Sequence, residues 1–267
     1  MTWHRSQRSE HSPGVSAATK PQFEHSRIAV HPASARVVLD VLHRRQDEGG
    51  DLTKAILTDP ALAAAVLRAA NSAHLGYSRR IGGVRQAIVM LGTSLVNSLA
   101  ASRVADLVFD TEAPDYPDWL WLHSITTACA ASVLARRTGE APDDAYTAGL
   151  LHEVGWLLTC TAGAENADQD HAAIGSQLLS RWNLPDRIVA SVRLHHARPA
   201  ALAAPIDKLV VAAHAFAAAL GASSPERAIQ PIEALQLLQL PDLRQSAVMA
   251  DVESELASVT SDLVVGR

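Results

Sequence analysis

Asp59-Pro60-Ala61-Leu62-Ala63-Ala64-Ala65-Val66-Leu67-Arg68-Ala69-Ala70-Asn71-Ser72-Ala73 reads as a helix with its start signal written into it. Asp59 has the side chain of an N-cap, and Pro60 suits the first helical position, where a missing N–H costs nothing. Leu62, Val66 and Ala70 then share one face, so the spacing predicts a short core helix ending near Ala73. Asn71 reads as a structural corner that caps orphan carbonyls or accepts left-handed backbone. The same grammar runs outward. Upstream, Val37, Val38, Val41 and Leu42 form a stripe from Ala33 to Asp47-Glu48-Gly49-Gly50, with Asp51 as the N-cap of a second short helix. Downstream, a loop from His74 to Gly83 leads to helical spacing at Ala87, Ile88 and Leu91, with Gly92 as a stop. A further helix from Thr93 carries Leu95, Val96, Leu99, Val104 and Leu107, and Thr111-Glu112-Ala113-Pro114-Asp115-Tyr116-Pro117 reads as a linker between two lobes.

The composition agrees with an all-α protein. The chain has 267 residues, 48% of them hydrophobic but only 4% aromatic, so its core is built from Ala, Leu and Val. A net charge of −5 gives no general drive toward nucleic acid or anionic lipid. Cys129 and Cys160 sit in apolar helical patterns without metal-type spacing and read as buried reduced thiols. Residues 1–30 have the polar composition of a disordered tail and lack the apolar segment of a signal peptide. No stretch reads as long and apolar enough to span a bilayer, so the expected location is the cytoplasm, without membrane contact.

Beyond the linker the pattern is helix after helix. One runs from about Pro117 to Arg137, stopped by Gly139, and carries His123 near the edge of its apolar stripe. The next starts at Pro142-Asp143-Asp144 and is expected to run through Leu150-Leu151-His152-Glu153-Val154-Gly155-Trp156 to about Thr161. Asp170-His171 opens another, Leu184-Pro185-Asp186 begins the one ending in Leu194-His195-His196, and Pro205-Ile206-Asp207 begins the one bearing His214. The segment from Pro225 to Arg267 adds two amphipathic helices whose expected role is packing or partner contact.

A His-Glu pair within an apolar stretch needs partners, either hydrogen bonds or a metal ion. His123, His152, Glu153, His171, His195, His196 and His214 lie on five successive expected helices, the way helical metal sites are assembled from facing side chains. Individually they have plainer readings. His171, beside Asp170, also fits a capping turn. His195 and His196, about 100° apart on a helix, are not expected both to face inward. His74, Arg79, Arg80 and Arg85 read as a solvated loop surface.

Two resemblances emerge from these residues. The run Asp59-Pro60-Ala61-Leu62, Val66 to Ala73, Gly76, Ile81, Ala87-Ile88 and Leu91-Gly92 resembles the N-terminal signature of the HDOD family, the HD-related output domain. The histidine order resembles an HD-domain phosphohydrolase. By that resemblance His123 corresponds to the first metal ligand, and His152 with Glu153 to the His-Asp pair. His171, His195 and His196 correspond to the added ligands of the HD-GYP relatives, and His214 to the final Asp. The departures are chemical. Glu153 is one methylene longer than Asp, and His214 replaces a negative ligand by a neutral one. Trp156 stands where the HD-GYP enzymes have Lys, and no Gly-Tyr-Pro follows the doublet.

The resemblance implies an all-α HDOD fold over 31–221, with an N-terminal helical lobe (31–110) packed on a degenerate HD-type lobe (117–221) and a helical extension over 222–267. It implies a noncatalytic bacterial signalling module that acts on signalling proteins or through a small-molecule or nucleotide ligand. One alternative is a metal-dependent phosphohydrolase for a nucleotide or cyclic dinucleotide, and another is a sensor that binds metal or nucleotide without turnover. No cofactor is required. If His123, His152, Glu153 and His214 converge, their donor set suits a single Zn²⁺, Fe²⁺ or Ni²⁺.

Overall fold

The computed structural model describes residues 28–44, 50–72, 75, 80–109, 116–159, 170–222, 224 and 228–261. Among these, every regular element is helical: α1 (Pro32–Arg44), α2 (Gly50–Thr58), α3 (Pro60–Ala70), α4 (Val84–Phe109), α5 (Asp118–Thr138), α6 (Pro142–Leu151), α7 (Val154–Thr159), α8 (His171–Arg181), α9 (Asp186–Leu194), α10 (Pro205–Ala219), α11 (Pro231–Leu237) and α12 (Gln245–Thr260). The expected tail up to residue 27, most of the linker before Tyr116, His74, Arg79 and Cys160 lie outside the described residues.

The sequence signals place most helix starts. Asp59 caps α3, its Oδ1 accepting from Ala61 N at 2.8 Å and Leu62 N at 3.0 Å. Gly139, at φ 76°, ends α5 in left-handed backbone. Three expectations are corrected. α2 begins at Gly50, so Asp51 lies within its first turn rather than capping it. α3 stops at Ala70 because Asn71 leaves the helical track, its Nδ2 donating to Leu67 O at 3.0 Å and Ile81 O at 2.9 Å while its Oδ1 accepts from Ile81 N at 2.7 Å. The expected helix through His152-Glu153 is two helices, α6 and α7, with the pair in the turn between them.

Val84–Ala105 of α4 is long and apolar enough to cross a membrane by length and composition, contrary to the expectation from sequence. Gly92, at φ 74° and ψ 158°, interrupts it where the sequence places a stop, so two helical pieces meet at a kink. Val84, Ala87, Val96, Ala100 and Val104 are buried, and the helix packs on α1, α2, α3 and α6. Leu42 and Leu95, assigned to buried stripes by spacing, are instead 38% and 41% exposed.

The core centres on α5, which contacts α6, α10 and α12. Ala128, Cys129, Ala130, Ala131, Leu134 and Ala135 are fully buried, and small side chains all round let neighbouring backbones come close. A Cβ on Gly149 of α6 would stand 2.8 Å from Thr127 O and 2.9 Å from Ala128 Cα. The two halves of the chain join across α6 and α9. Tyr146 Oη donates to Leu57 O at 2.9 Å, Val84 N to Thr147 Oγ1 at 3.0 Å, and Asn183 Nδ2 to Asn71 O at 3.2 Å. Arg80 pairs with Asp186 at 2.7 Å, and Arg85 stacks over Tyr146, so these two arginines bridge elements rather than lining a solvated loop.

α7 meets α8 through backbone. A Cβ on Gly155 would lie 1.9 Å from His171 O and 2.9 Å from Gly175 N. Gly155→Ala should therefore cost about 3 kcal/mol, at the upper end for overpacking. Gly139→Ala, with open space but positive φ, should cost about 1 kcal/mol. Urea unfolding midpoints check both, and a Gly155→Ala loss no larger than that of Gly139→Ala would contradict the backbone contact.

Candidate metal centre

The turn His152-Glu153 is the centre of the site. α6 ends at Leu151 and Trp156 N bonds back to Glu153 O at 2.9 Å, so the chain turns tightly and presents both side chains to the interior. His152 is fully buried and Glu153 is 1% exposed. Around them stand His123 from α5, His171 from the start of α8, His195 and His196 from the turn after α9, and His214 from α10. All are buried except His196, which is partly exposed.

Glu153 divides the cluster. Its Oε1 lies 3.6 Å from His152 Nε2 and 3.8 Å from His123 Nε2. Its Oε2 lies 2.9 Å from His171 Nε2 and 3.6 Å from His195 Nε2. Among the described residues no backbone N–H or hydroxyl hydrogen-bonds to either oxygen. Two sets of potential ligands therefore share one carboxylate: His123, His152 and Glu153 on one side, and Glu153, His171, His195 and His196 on the other. His214 stands beside them, with ring centroids 4.9 Å from His123 and 5.6 Å from His196, but its Nε2 is 3.1 Å from Ser224 Oγ and it belongs to neither set.

The tautomers test whether these residues fit a metal. His123 Nδ1 lies 2.7 Å from Ala222 O, His152 Nδ1 2.7 Å from Gly149 O and His195 Nδ1 2.6 Å from Val192 O. A carbonyl only accepts, so each Nδ1 carries the hydrogen, and the neutral ring is left with a lone pair on Nε2. Yet His123 Nε2 and His152 Nε2 face each other at 3.0 Å. Two lone pairs at that distance repel unless a cation lies between or beside them. A proton is one solution, but burial pushes the His123 pKa down and that of His152 well down, which disfavours an imidazolium. A metal ion is the other, and an imidazole held by Nδ1–H to a backbone carbonyl is the usual form of a ligating histidine. The donor set fits a transition metal.

Electrostatics bear on the same point. Burial alone would raise the Glu153 pKa, and what holds it well below the usual carboxylate range is positive charge at His152 with hydrogen bonds from His171 and His195. Rings left neutral with a bare Nε2 do not supply that charge, and a metal ion among them would. Burial likewise pushes His196 and His214 down to about 3, so these rings are neutral near pH 7.

The structure brings six of the seven expected residues into one of the two sets and leaves His214 at the edge. Both members of the His195-His196 doublet face the cluster: His171 Nε2 lies 3.2 Å from His195 Nε2 and 3.0 Å from His196 Nε2. The helical argument against this fails because α9 ends at Leu194 and the doublet lies in the following turn. At α8, Asp170 is the cap, accepting from Ala173 N at 3.0 Å, which frees the His171 ring for the cluster. Two aromatic neighbours add to the cluster, Trp156, read from sequence only as a replaced Lys, and Trp119, not read at all. Trp156 stacks on His171 with centroids 5.2 Å apart, and Trp119 lies 6.2 Å from His123. Trp119 is one helical turn before His123, a spacing that was available in the sequence.

Residues 28–169 match the model of the HDOD domain, and residues 120–240 that of the HD domain. An uncharacterized protein of Treponema pallidum is 29% identical over 177 residues, 56% of this chain and 34% of that protein. Ribonuclease Y of Opitutus terrae is 40% identical over 76 residues, 28% of this chain and 13% of that enzyme. The chain thus spans about a third or less of the length of these curated relatives. The MmoQ response regulator of Methylococcus capsulatus str. Bath superposes with a TM-score of 0.67 at 21% identity, over 85% of this chain and 98% of that one, which shows a shared fold. The HDOD match takes in more than half of the chain and runs from residue 28, just before α1, through the His-Glu turn, so this chain belongs to the HDOD domain family.

Proposed function

We propose that this chain is a non-hydrolytic regulatory module of bacterial signalling whose buried histidine cluster holds one divalent transition metal. The observation that carries this reading is Glu153, a single buried carboxylate shared by two groups of imidazoles. One divalent ion beside one carboxylate leaves a net charge of +1, whereas two ions would leave +3 away from solvent, which is costly. A two-metal site for phosphoester hydrolysis needs more negative ligands, because it must hold two ions and a bound hydroxide. Burial of six of the seven residues also leaves a phosphodiester little direct access. His123, His152 and Glu153, or Glu153, His171, His195 and His196, would hold the ion, and there it would neutralise opposed lone pairs and fix the helices that carry its ligands around one point. The likeness to a response regulator supports a signalling role, and the partner would be a signalling protein or a small-molecule ligand. The HD match and the likeness to ribonuclease Y favour the alternative of a phosphohydrolase for a nucleotide or cyclic dinucleotide.

The two are separable by assay. With added Mn²⁺, cyclic di-GMP and simple phosphodiesters should turn over no faster than in a metal-only control. Metal-dependent turnover that disappears in His152→Ala would establish the hydrolytic reading instead. Elemental analysis should find one equivalent of Zn, Fe or Ni per chain. Adding that metal to chelated protein at one hundred times its Kd should stabilise it by about 2.7 kcal/mol. Glu153→Gln should lose this gain, and a melting-temperature rise of equal size in wild type and Glu153→Gln would exclude the cluster as its source. His152→Ala and His195→Ala, compared by metal content, report which side of Glu153 is filled.

The pH dependence has a definite sign. The folded-state pKa values of His123, His152, His196 and His214 are lowered, so below about 6.5 the unfolded chain binds protons that the folded chain does not. Stability should be fully present above about pH 6.5 and fall as pH drops below it, and the metal's contribution should fall in the same direction because ligation needs neutral imidazoles. Urea midpoints from pH 8 to 4.5, with and without metal, check this, and a flat profile would contradict it.

A further inference from the structure

Away from the histidine cluster, the first turn of α4, the C-terminal end of α5 and one side of α12 line an open cleft of about 690 Å³. Its volume is within the range of small-molecule sites, about 300–1,000 Å³. Arg85, Arg136 and Arg137 line it, and α12 answers them with only two carboxylates, Asp251 and Glu255. Arg136 pairs with Glu255 and also donates to Ser132 Oγ at 3.0 Å, and Arg137 pairs with Asp251. Arg85 is different. Its nearest carboxylate oxygen, on Asp143, is 3.6 Å away, and its guanidinium lies 5.0 Å from the Tyr146 ring centroid. Stacking occupies the face of a guanidinium and leaves its N–H edge available to an acceptor.

We propose that this cleft binds a phosphorylated small molecule of nucleotide size, its phosphate oxygens taking Arg85 and replacing the α12 carboxylates on Arg136 and Arg137. The exchange is physically favourable. Arg85, Arg136 and Arg137 are 43%, 48% and 30% exposed at the side chain, and ion pairs at such exposure contribute little stability. A phosphate offers bidentate, charge-assisted bonds to the same forks. Ser254 and Ser258, on the α12 wall, add hydroxyl donors for further polar groups. Occupancy would reach both halves of the chain, because α12 contacts α2 as well as α5, with Lys54 Nζ 3.3 Å from Ser261 Oγ. Arg136 and His123 lie on the same α5, thirteen residues or about 20 Å apart, so the cleft is separate from the candidate metal centre.

The test is calorimetric titration of the full chain with GTP and with inorganic pyrophosphate, in chelator so that the histidine cluster contributes no metal-bridged phosphate. GTP should bind the wild type, and bind at least fivefold more tightly to the double variant Asp251→Asn/Glu255→Gln, which lacks the competing charges. Arg85→Gln should weaken binding at least fivefold, with a urea midpoint close to wild type. Arg85→Lys, which keeps the charge but loses the fork, should weaken it in the same direction and serves if the first variant does not fold. Pyrophosphate should bind more weakly than GTP. No GTP binding to wild type or to the double variant would overturn the proposal, as would binding unchanged in both Arg85 variants. Equal affinity for pyrophosphate would overturn the assignment to a ligand of nucleotide size.

Discussion

Burial of the Glu153 carboxylate is the constraint on which the arrangement of the C-terminal half depends. Taking an ionised carboxylate out of water costs several kcal/mol even after relaxation, so compensation must come from neighbours. Among the described residues no backbone amide or hydroxyl supplies it; imidazoles from α5, the His152 turn, α8 and the turn after α9 surround it instead, His171 at 2.9 Å and the others placed to share a cation with it. That requirement shapes the local backbone. The helix must break after Leu151 so that His152 and Glu153 both face inward, which consecutive positions of an unbroken helix cannot do equally. The break brings α7 against α8 closely enough that only glycine fits at 155. It leaves the Gly149 carbonyl free to accept from His152 Nδ1, so the residue that allows α6 to approach α5 also sets the tautomer of a ring in the cluster.

Most of the fold was legible because its punctuation is local. Asp59-Pro60, Pro142, Pro205 and Gly139 act within a few residues, and each starts or stops a helix where the sequence indicates. What escaped was decided by tertiary contact. Nothing near His152 announces a turn, since Leu150 to Leu158 is apolar at helical spacing, and the break answers to partners 20 to 60 residues away. The His195-His196 doublet was misjudged for a related reason: the argument from angular spacing assumes a helix, and α9 ends one residue too soon for it to hold. The membrane-length apolar stretch in α4 shows the reverse case, in which Gly92 was recognised as a stop but the summed apolarity of the two pieces was not. The membership of the candidate site was legible as a list of residue types. Its division by Glu153 was not, because that depends on which carboxylate oxygen faces which ring.

The overlap of the two family matches, residues 120–169, contains all but the first two residues of α5, and α6 and α7, and this segment has two tasks. One face supplies His123, His152 and Glu153 to the cluster. The other docks the N-terminal half, Tyr146 Oη donating to Leu57 O and Thr147 Oγ1 accepting from Val84 N. Both tasks fall within seven residues, from Tyr146 on α6 to His152 just past its end, on a helix whose packing against α5 has no slack at Gly149. A displacement that opens the joint between the halves therefore moves the backbone that holds His152. On the proposed reading, a metal that fixes His152 favours one docking of the N-terminal half, and a partner that shifts that docking changes metal affinity by the same factor, since coupling between binding sites is reciprocal. The energy available for that coupling is bounded by the difference in metal affinity between the two dockings, so a regulatory role requires the cluster to be rigid in one and distorted in the other. Close packing at Gly149 and Gly155 supplies that condition, because a backbone contact without slack passes from fitted to strained over a few tenths of an ångström.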